Sequence, residues 1–158
     1  MQIRWDEEGW YFEQMDSFPA GLLRELPACA VPDDEAARER IFSSPTGGAD
    51  ATADQEWSEN VVPDLAALFQ SHVDVVIGDL AEMKTEGEAS SVHVPVVHAR
   101  AWIHTLNQAR LALGARHGVT DDDTAGRRRT RSRTKAHGLM QIDFYGMLLG
   151  LILAHTEI

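Results

Sequence analysis

Residues 139–154 read LMQIDFYGMLLGLILA, and this stretch constrains the fold more than any other part of the chain. A helix that is apolar on nearly every face has to be covered by protein or by lipid. The uninterrupted apolar run from Phe144 to Ala154 is 11 residues long, whereas a membrane span needs about 20. Asp143, at the head of that run, makes insertion costlier still. The stretch therefore reads as a core helix, and no membrane association is expected. A domain of 158 residues has few neighbouring helices to cover every face of such a helix. Pairing with a second copy, a homodimer, is the commonest solution.

The rest of the chain is organised around helices. Residues 2–14 suit a β-hairpin: Ile3 and Trp5 alternate with Arg4, Asp6-Glu7-Glu8-Gly9 supplies a turn, and Trp10, Tyr11 and Phe12 favour a return strand. A short leucine-rich helix is expected over 19–28, stopping near Pro27, and a second over 33–42 behind Asp33 as N-cap. Residues 43–56, SSPTGGADATADQE, have the composition of a flexible loop. Apolar residues from Leu65 to Met83 recur at helical spacing and predict a long helix over 63–84, followed by a polar break at 85–92. The next helix is expected over 95–117, closing at Gly118, then a charged flexible loop over 119–137 and the last helix over 139–154. The expected fold is one mainly α domain, residues 1–158: a helical bundle with an N-terminal β-hairpin.

Charge narrows the function classes. The net charge is −11, but residues 127–135, RRRTRSRTK, hold six of the 14 basic residues. The remaining eight basic residues face 25 acidic ones. A body of that sign repels nucleic acid and anionic membrane, so nucleic acid is an unexpected partner. The strip itself reads as a solvated loop. Its alternative, a phosphate- or nucleic-acid-binding segment, lacks the interleaved aromatics that stack bases. With Cys29 as the single cysteine, no intrachain disulfide can form, which suits a cytoplasmic protein. No secretory signal pattern opens the chain.

Motifs for chemistry are scarce. Seven histidines include no H-x-x-x-H, H-E-x-x-H or E-x-x-H spacing, and no C-x-x-C is present, so neither metal nor other cofactor is expected. His98 and His104 fall on different faces of one helix. His72 lies on the apolar stripe of its helix with Asp79 two turns later, and reads as a hydrogen-bonded boundary histidine. Gly47-Gly48 lacks the Lys-Ser/Thr of a phosphate loop, and Asp121-Asp122-Asp123 lacks the later ligands of a calcium loop. Cys29, among Pro27, Ala28, Ala30 and Val31, reads as packed.

One constellation stands apart. On the helix around Trp102, the residues Ala99, Trp102, Ile103, Leu106 and Leu113 share a face, Arg110 points into its middle, and Asn107 lies at its edge. An arginine there must find a partner or reach solvent. Asp143 is the one acid between Gly138 and His155, on a narrow face with Gly146, Gly150 and Ala154, and Gly114 lies one turn after Arg110. A buried Arg110–Asp143 pair joining two helices is the structural expectation. The functional one is an anion or partner carboxylate held by Arg110 and Asn107.

The same residues carry a resemblance. Ala101-Trp102-Ile103, Leu106-Asn107 and Arg110-Leu111-Ala112-Leu113-Gly114-Ala115-Arg116 resemble the W-L…L-N-x-x-R-L-x-L-G-x-R signature of a bacterial family, domain of unknown function twenty-seventeen. The resemblance implies a chain of similar length and element order, with Trp102, Asn107, Arg110 and Gly114 as signature positions. It implies no activity. It does imply an association, because such genes are often encoded beside the ClpS adaptor of the Clp protease. The expected function is thus a non-enzymatic interaction or regulatory domain, with a protein partner in Clp-dependent proteolysis. The alternative is a small-molecule or anion binder, or an enzyme, centred on Arg110.

Overall fold

The computed structural model describes residues 1–126 and 132–156. Among the described residues four strands and seven α-helices follow one another as β1 (Gln2–Asp6), β2 (Gly9–Met15), α1 (Ser17–Ala30), α2 (Glu35–Ile41), α3 (Ala51–Asn60), α4 (Val62–Ala81), β3 (Lys84–Glu86), β4 (Ala89–Pro95), α5 (Ala99–Arg116), α6 (Asp121–Thr124) and α7 (Arg133–Ala154). The fold is mainly α with an N-terminal β-hairpin, as the sequence implies.

The hairpin does not stand alone. β4 adds antiparallel to β2 and β3 to β4, giving an antiparallel sheet in the order β1-β2-β4-β3. The expected polar break at 85–92 is therefore a second hairpin. Ser90, Val92 and Val94 alternate inward along β4, and two serines mask that period of two in the sequence. Gly9 makes the sheet possible. Its φ is +144°, and a Cβ there would lie 2.0 Å from the carbonyl oxygen of Val94.

Three further expectations need correction. The loop expected over 43–56 ends at Asp50, whose side chain caps α3 by accepting from the Thr52 and Ala53 amides. No residue of α3 is buried, so the helix has no apolar stripe to announce it. It is held instead by Asp54, which accepts from the Thr46 amide and hydroxyl and from the Gly48 amide. Secondly, α1 runs through Pro27 to Ala30. Its last carbonyls are taken by side chains of α5: Arg116 donates to the carbonyls of Cys29 and Val31, and Gln108 to that of Ala30. Those bonds satisfy groups that a helix end otherwise leaves to water. Thirdly, the loop expected over 119–137 is broken by α6 at Asp121–Thr124, and α7 begins at Arg133, not 139, behind Ser132 as N-cap. Of the strip 127–135, expected to be a loop, residues 133–135 are thus helical, and 127–131 lie outside the described residues.

α5 is the central element, packed on α1, α2, α4 and α7. Trp102, Leu106, Ala109 and Ala112 have no exposed surface. Trp10, Phe12 and Met15 of β2 belong to the same core. α3 and α4 meet at a bend of 43°. α7 is long and apolar enough to cross a membrane by length and composition, and only a third of its apolar stretch is buried in this chain.

A candidate anion-binding cleft

α7 presents Gln141, Ile142, Tyr145, Leu148 and Ile152 to the core. Two polar anchors fix that rotation. The Tyr145 hydroxyl donates to the Leu22 carbonyl at 2.7 Å, and Gln141 donates to Glu25 at 2.7 Å. Burial, followed by the neighbouring Cys29, raises the Tyr145 phenol far above its usual range, so it stays a donor. Cys29 is buried in this contact, and burial pushes its thiol up as well.

This rotation overturns the expected Arg110–Asp143 pair. Asp143 follows Ile142 by one residue, about 100° further round the helix, and it is exposed. Among the described residues it forms no ion pair with Arg110. The small residue that does meet Arg110 is Gly146, where an added Cβ would lie 3.2 Å from Arg110 Nε. Gly114, expected to ease that approach, has nothing within 4 Å of the corresponding position.

Six buried side-chain nitrogen or oxygen atoms lack a hydrogen-bond partner among the described residues, and one is the Nε of Arg110. The Arg110 side chain lines a cleft of about 230 Å³. Arg40 of α2 and Asn107 of α5 line the same cleft. Leu111, Val119 and Ile142 supply an apolar wall, with Gly114 and Thr124 completing the lining. Neither arginine forms an ion pair among the described residues, in a chain with 25 carboxylate side chains. Two unneutralised guanidinium groups in one concave site are an electrostatic invitation to an anion.

The structure thus brings Asn107 and Arg110 together and leaves Asp143 outside. Sequence reading missed Arg40. It lies in the last turn of α2, and nothing in its spacing from Arg110, 70 positions on, signals that the two share a cleft.

Trp102 serves a different corner. Its indole Nε1 donates to Asp79 Oδ2 at 2.8 Å, and His98 Nδ1 lies 2.9 Å from Asp79 Oδ1. Asp79 is 8% exposed, so it is a buried carboxylate held by two ring groups. Its partner is therefore His98, not His72. His72 instead stacks on His104 with ring centroids 4.6 Å apart and planes 6° from parallel. Burial first, then His104 and Arg100, lower the His72 pKa, and burial and Arg100 lower that of His104. Among the described residues no three side chains are grouped to hold a metal ion.

The other basic group of note is Lys135, 2.9 Å from Asp123 Oδ2. Lys135, then the Thr120 amide and hydroxyl, hold Asp123 down to about 2. This is a local clamp across α6 and the start of α7.

No curated protein and no solved structure is similar enough to this chain to be matched. The profile of the family described as Domain of unknown function (DUF2017) matches residues 8–154. With nearly the whole chain matched, including all of α5 and its Trp102-to-Arg116 pattern, the protein belongs to the DUF2017 family.

Proposed function

We propose that this is a non-catalytic binding domain that holds an anionic group of a partner in the cleft of Arg40, Asn107 and Arg110. The observation that carries the reading is the pair of arginines lining one concave site without a carboxylate among the described residues. By contrast Arg116, on the same helix, is neutralised by Asp33 at 2.8 Å and by Asp34. The fold spends carboxylates on Arg116 and leaves Arg110 open. An arginine kept for structure alone would follow the first pattern.

The partner of this reading is a protein, and the association with the ClpS adaptor that the resemblance implies makes Clp-dependent proteolysis the place to look for it. The working compartment is the cytoplasm. α7 serves as core helix: Tyr145, Leu148 and Ile152 are fully buried by the chain itself. We propose further that the outer stripe of α7, with Met140, Met147 and Leu153 exposed, is covered by a second copy of this chain.

Thermal melting with added acetate tests the cleft. A ligand that binds only the folded state raises its stability by mass action. The native protein is expected to gain stability with acetate beyond an equal concentration of chloride, and Arg110→Met to show no such gain. Equal responses of the two proteins, or none in either, would sink the reading.

A further inference from the structure

We infer that the Arg40–Asn107–Arg110 cleft receives the carboxyl terminus of a polypeptide that ends in an aliphatic residue. The inference rests on the anion-binding reading above and adds the identity of the anion.

Three features point to it. The first is size. The cleft is about 230 Å³, below the roughly 300–1,000 Å³ typical of small-molecule sites. A whole nucleotide is not enclosed by a cleft of that size, whereas a single side chain with its carboxylate matches it. The second is the division of the lining. Arg40, Arg110 and Asn107 are polar, while Leu111, Val119 and Ile142 are apolar. Inorganic phosphate needs polar partners for all its oxygens, and an apolar wall against it leaves some unmet. An α-carboxylate with an aliphatic side chain presents one charged end and one apolar face, and so uses both halves. Guanidinium groups match the planar carboxylate with paired N–H donors. Asn107 carries both a donor and an acceptor, so its carbonyl oxygen is available to the last peptide N–H of the bound chain.

The third feature is the charge of the chain as a whole outside the strip at 127–135. Outside residues 127–135 the chain holds eight basic residues against 25 acidic ones. A polyanion, whether an acidic peptide run or a nucleic acid, meets repulsion over most of that surface. A single carboxylate set between two arginines does not. The cleft therefore selects for one isolated negative charge on an otherwise neutral, apolar chain end.

The test uses the full chain, labelled with nitrogen-15, and nuclear magnetic resonance. The Asn107 side-chain amide is the reporter, and the ligands are five. They are the tripeptide acetyl-alanyl-alanyl-leucine as free acid, the same peptide as its amide, its glycine-ended analogue, N-acetylleucine and inorganic phosphate. The leucine-ended acid is expected to shift the Asn107 signals, and the amide and glycine-ended forms to bind at least tenfold more weakly. Arg110→Met should abolish the shift. Asn107→Ala, a change at an exposed position, should weaken binding as read from the backbone amides of Leu111 and Gly114, with the fold intact.

An amide that binds as well as the acid overturns the inference. N-acetylleucine carries the carboxylate, the aliphatic side chain and the one peptide N–H that the cleft reads, so it is expected to bind about as well as the tripeptide, and its failure to bind where the tripeptide binds also overturns the inference. If phosphate competes fully and leucine and glycine ends bind alike, the chain-end identity fails while the anion site stands. If no anion shifts any signal, both readings fall.

Discussion

At the level of single residues, what decides each role is whether a buried polar group finds its partner. Asp79 has two ring donors, so its burial is tolerated. Replacing it with Leu leaves the Trp102 indole N–H inside the core unmet, which costs about 1–3 kcal/mol. Asp79→Asn keeps an acceptor for that N–H and is expected to lose less. Thermal denaturation of the two variants should rank them in that order, and equal losses would mean the indole bond contributes nothing. The His72–His104 stack gives a pH dependence with a definite sign. Both rings titrate below the ordinary 6.5 in the folded state. The unfolded chain then binds protons first as pH falls, so stability present above pH 6.5 is lost progressively below it. His104→Phe keeps the stack and removes one titrating group. Its melting temperature should fall less between pH 7.5 and 5.5 than that of the native protein. Arg110 was readable in the sequence as an arginine out of place on an apolar face. Asp143 looked like its partner because acids are scarce on α7. The pairing failed because one residue of offset turns a side chain through about 100°, and Tyr145 and Gln141 fix which face turns inward.

At the level of elements, the strongly periodic helices α4, α5 and the body of α7 follow from their apolar spacing, and the β1–β2 hairpin follows from alternation around a turn. The elements that escaped are those whose cause is not hydrophobic. α3 buries nothing and rests on Asp50 and Asp54. β4 alternates through serine, and the first turn of α7 rests on Ser132 and on Lys135 reaching Asp123. That last clamp is testable. Asp123 is held at about 2 against an ordinary 3.8, so its contribution is present above pH 3.8 and is lost as pH falls toward 2. Lys135→Met removes the largest cause of the depression. The variant should be less stable than the native protein at pH 6, and the gap should narrow between pH 4 and 2. Hydrogen exchange at the amides of Ala136 and His137 should speed up in the same variant at pH 6. Unchanged exchange there would show that α7 begins without help from the clamp.

At the level of the whole molecule, the outer side of α7 is the apolar surface left to explain. There Met140 is 46%, Met147 44% and Leu153 38% exposed. These positions lie along one side of a helix whose other side is core, and among the described residues they stay exposed. A two-fold pairing covers such a stripe with its own copy and buries about 800 Å² of each partner. The stripe also holds one charge, Asp143. In the proposed dimer Asp143 would sit where the two helices meet, and an antiparallel pairing would keep the two carboxylates apart. Light scattering at micromolar concentration is expected to give twice 17.5 kDa. Met147→Glu should halve that mass while leaving the far-ultraviolet circular dichroism unchanged, since Met147 makes no part of the core. A native protein that scatters as a monomer would rule out the dimer and leave the stripe for another partner. The Arg110 cleft opens between α2, α5 and α6 and includes Ile142 from the inner side of α7. Monomerisation by Met147→Glu should therefore leave acetate binding intact, and loss of both together would show that the cleft is completed across the dimer.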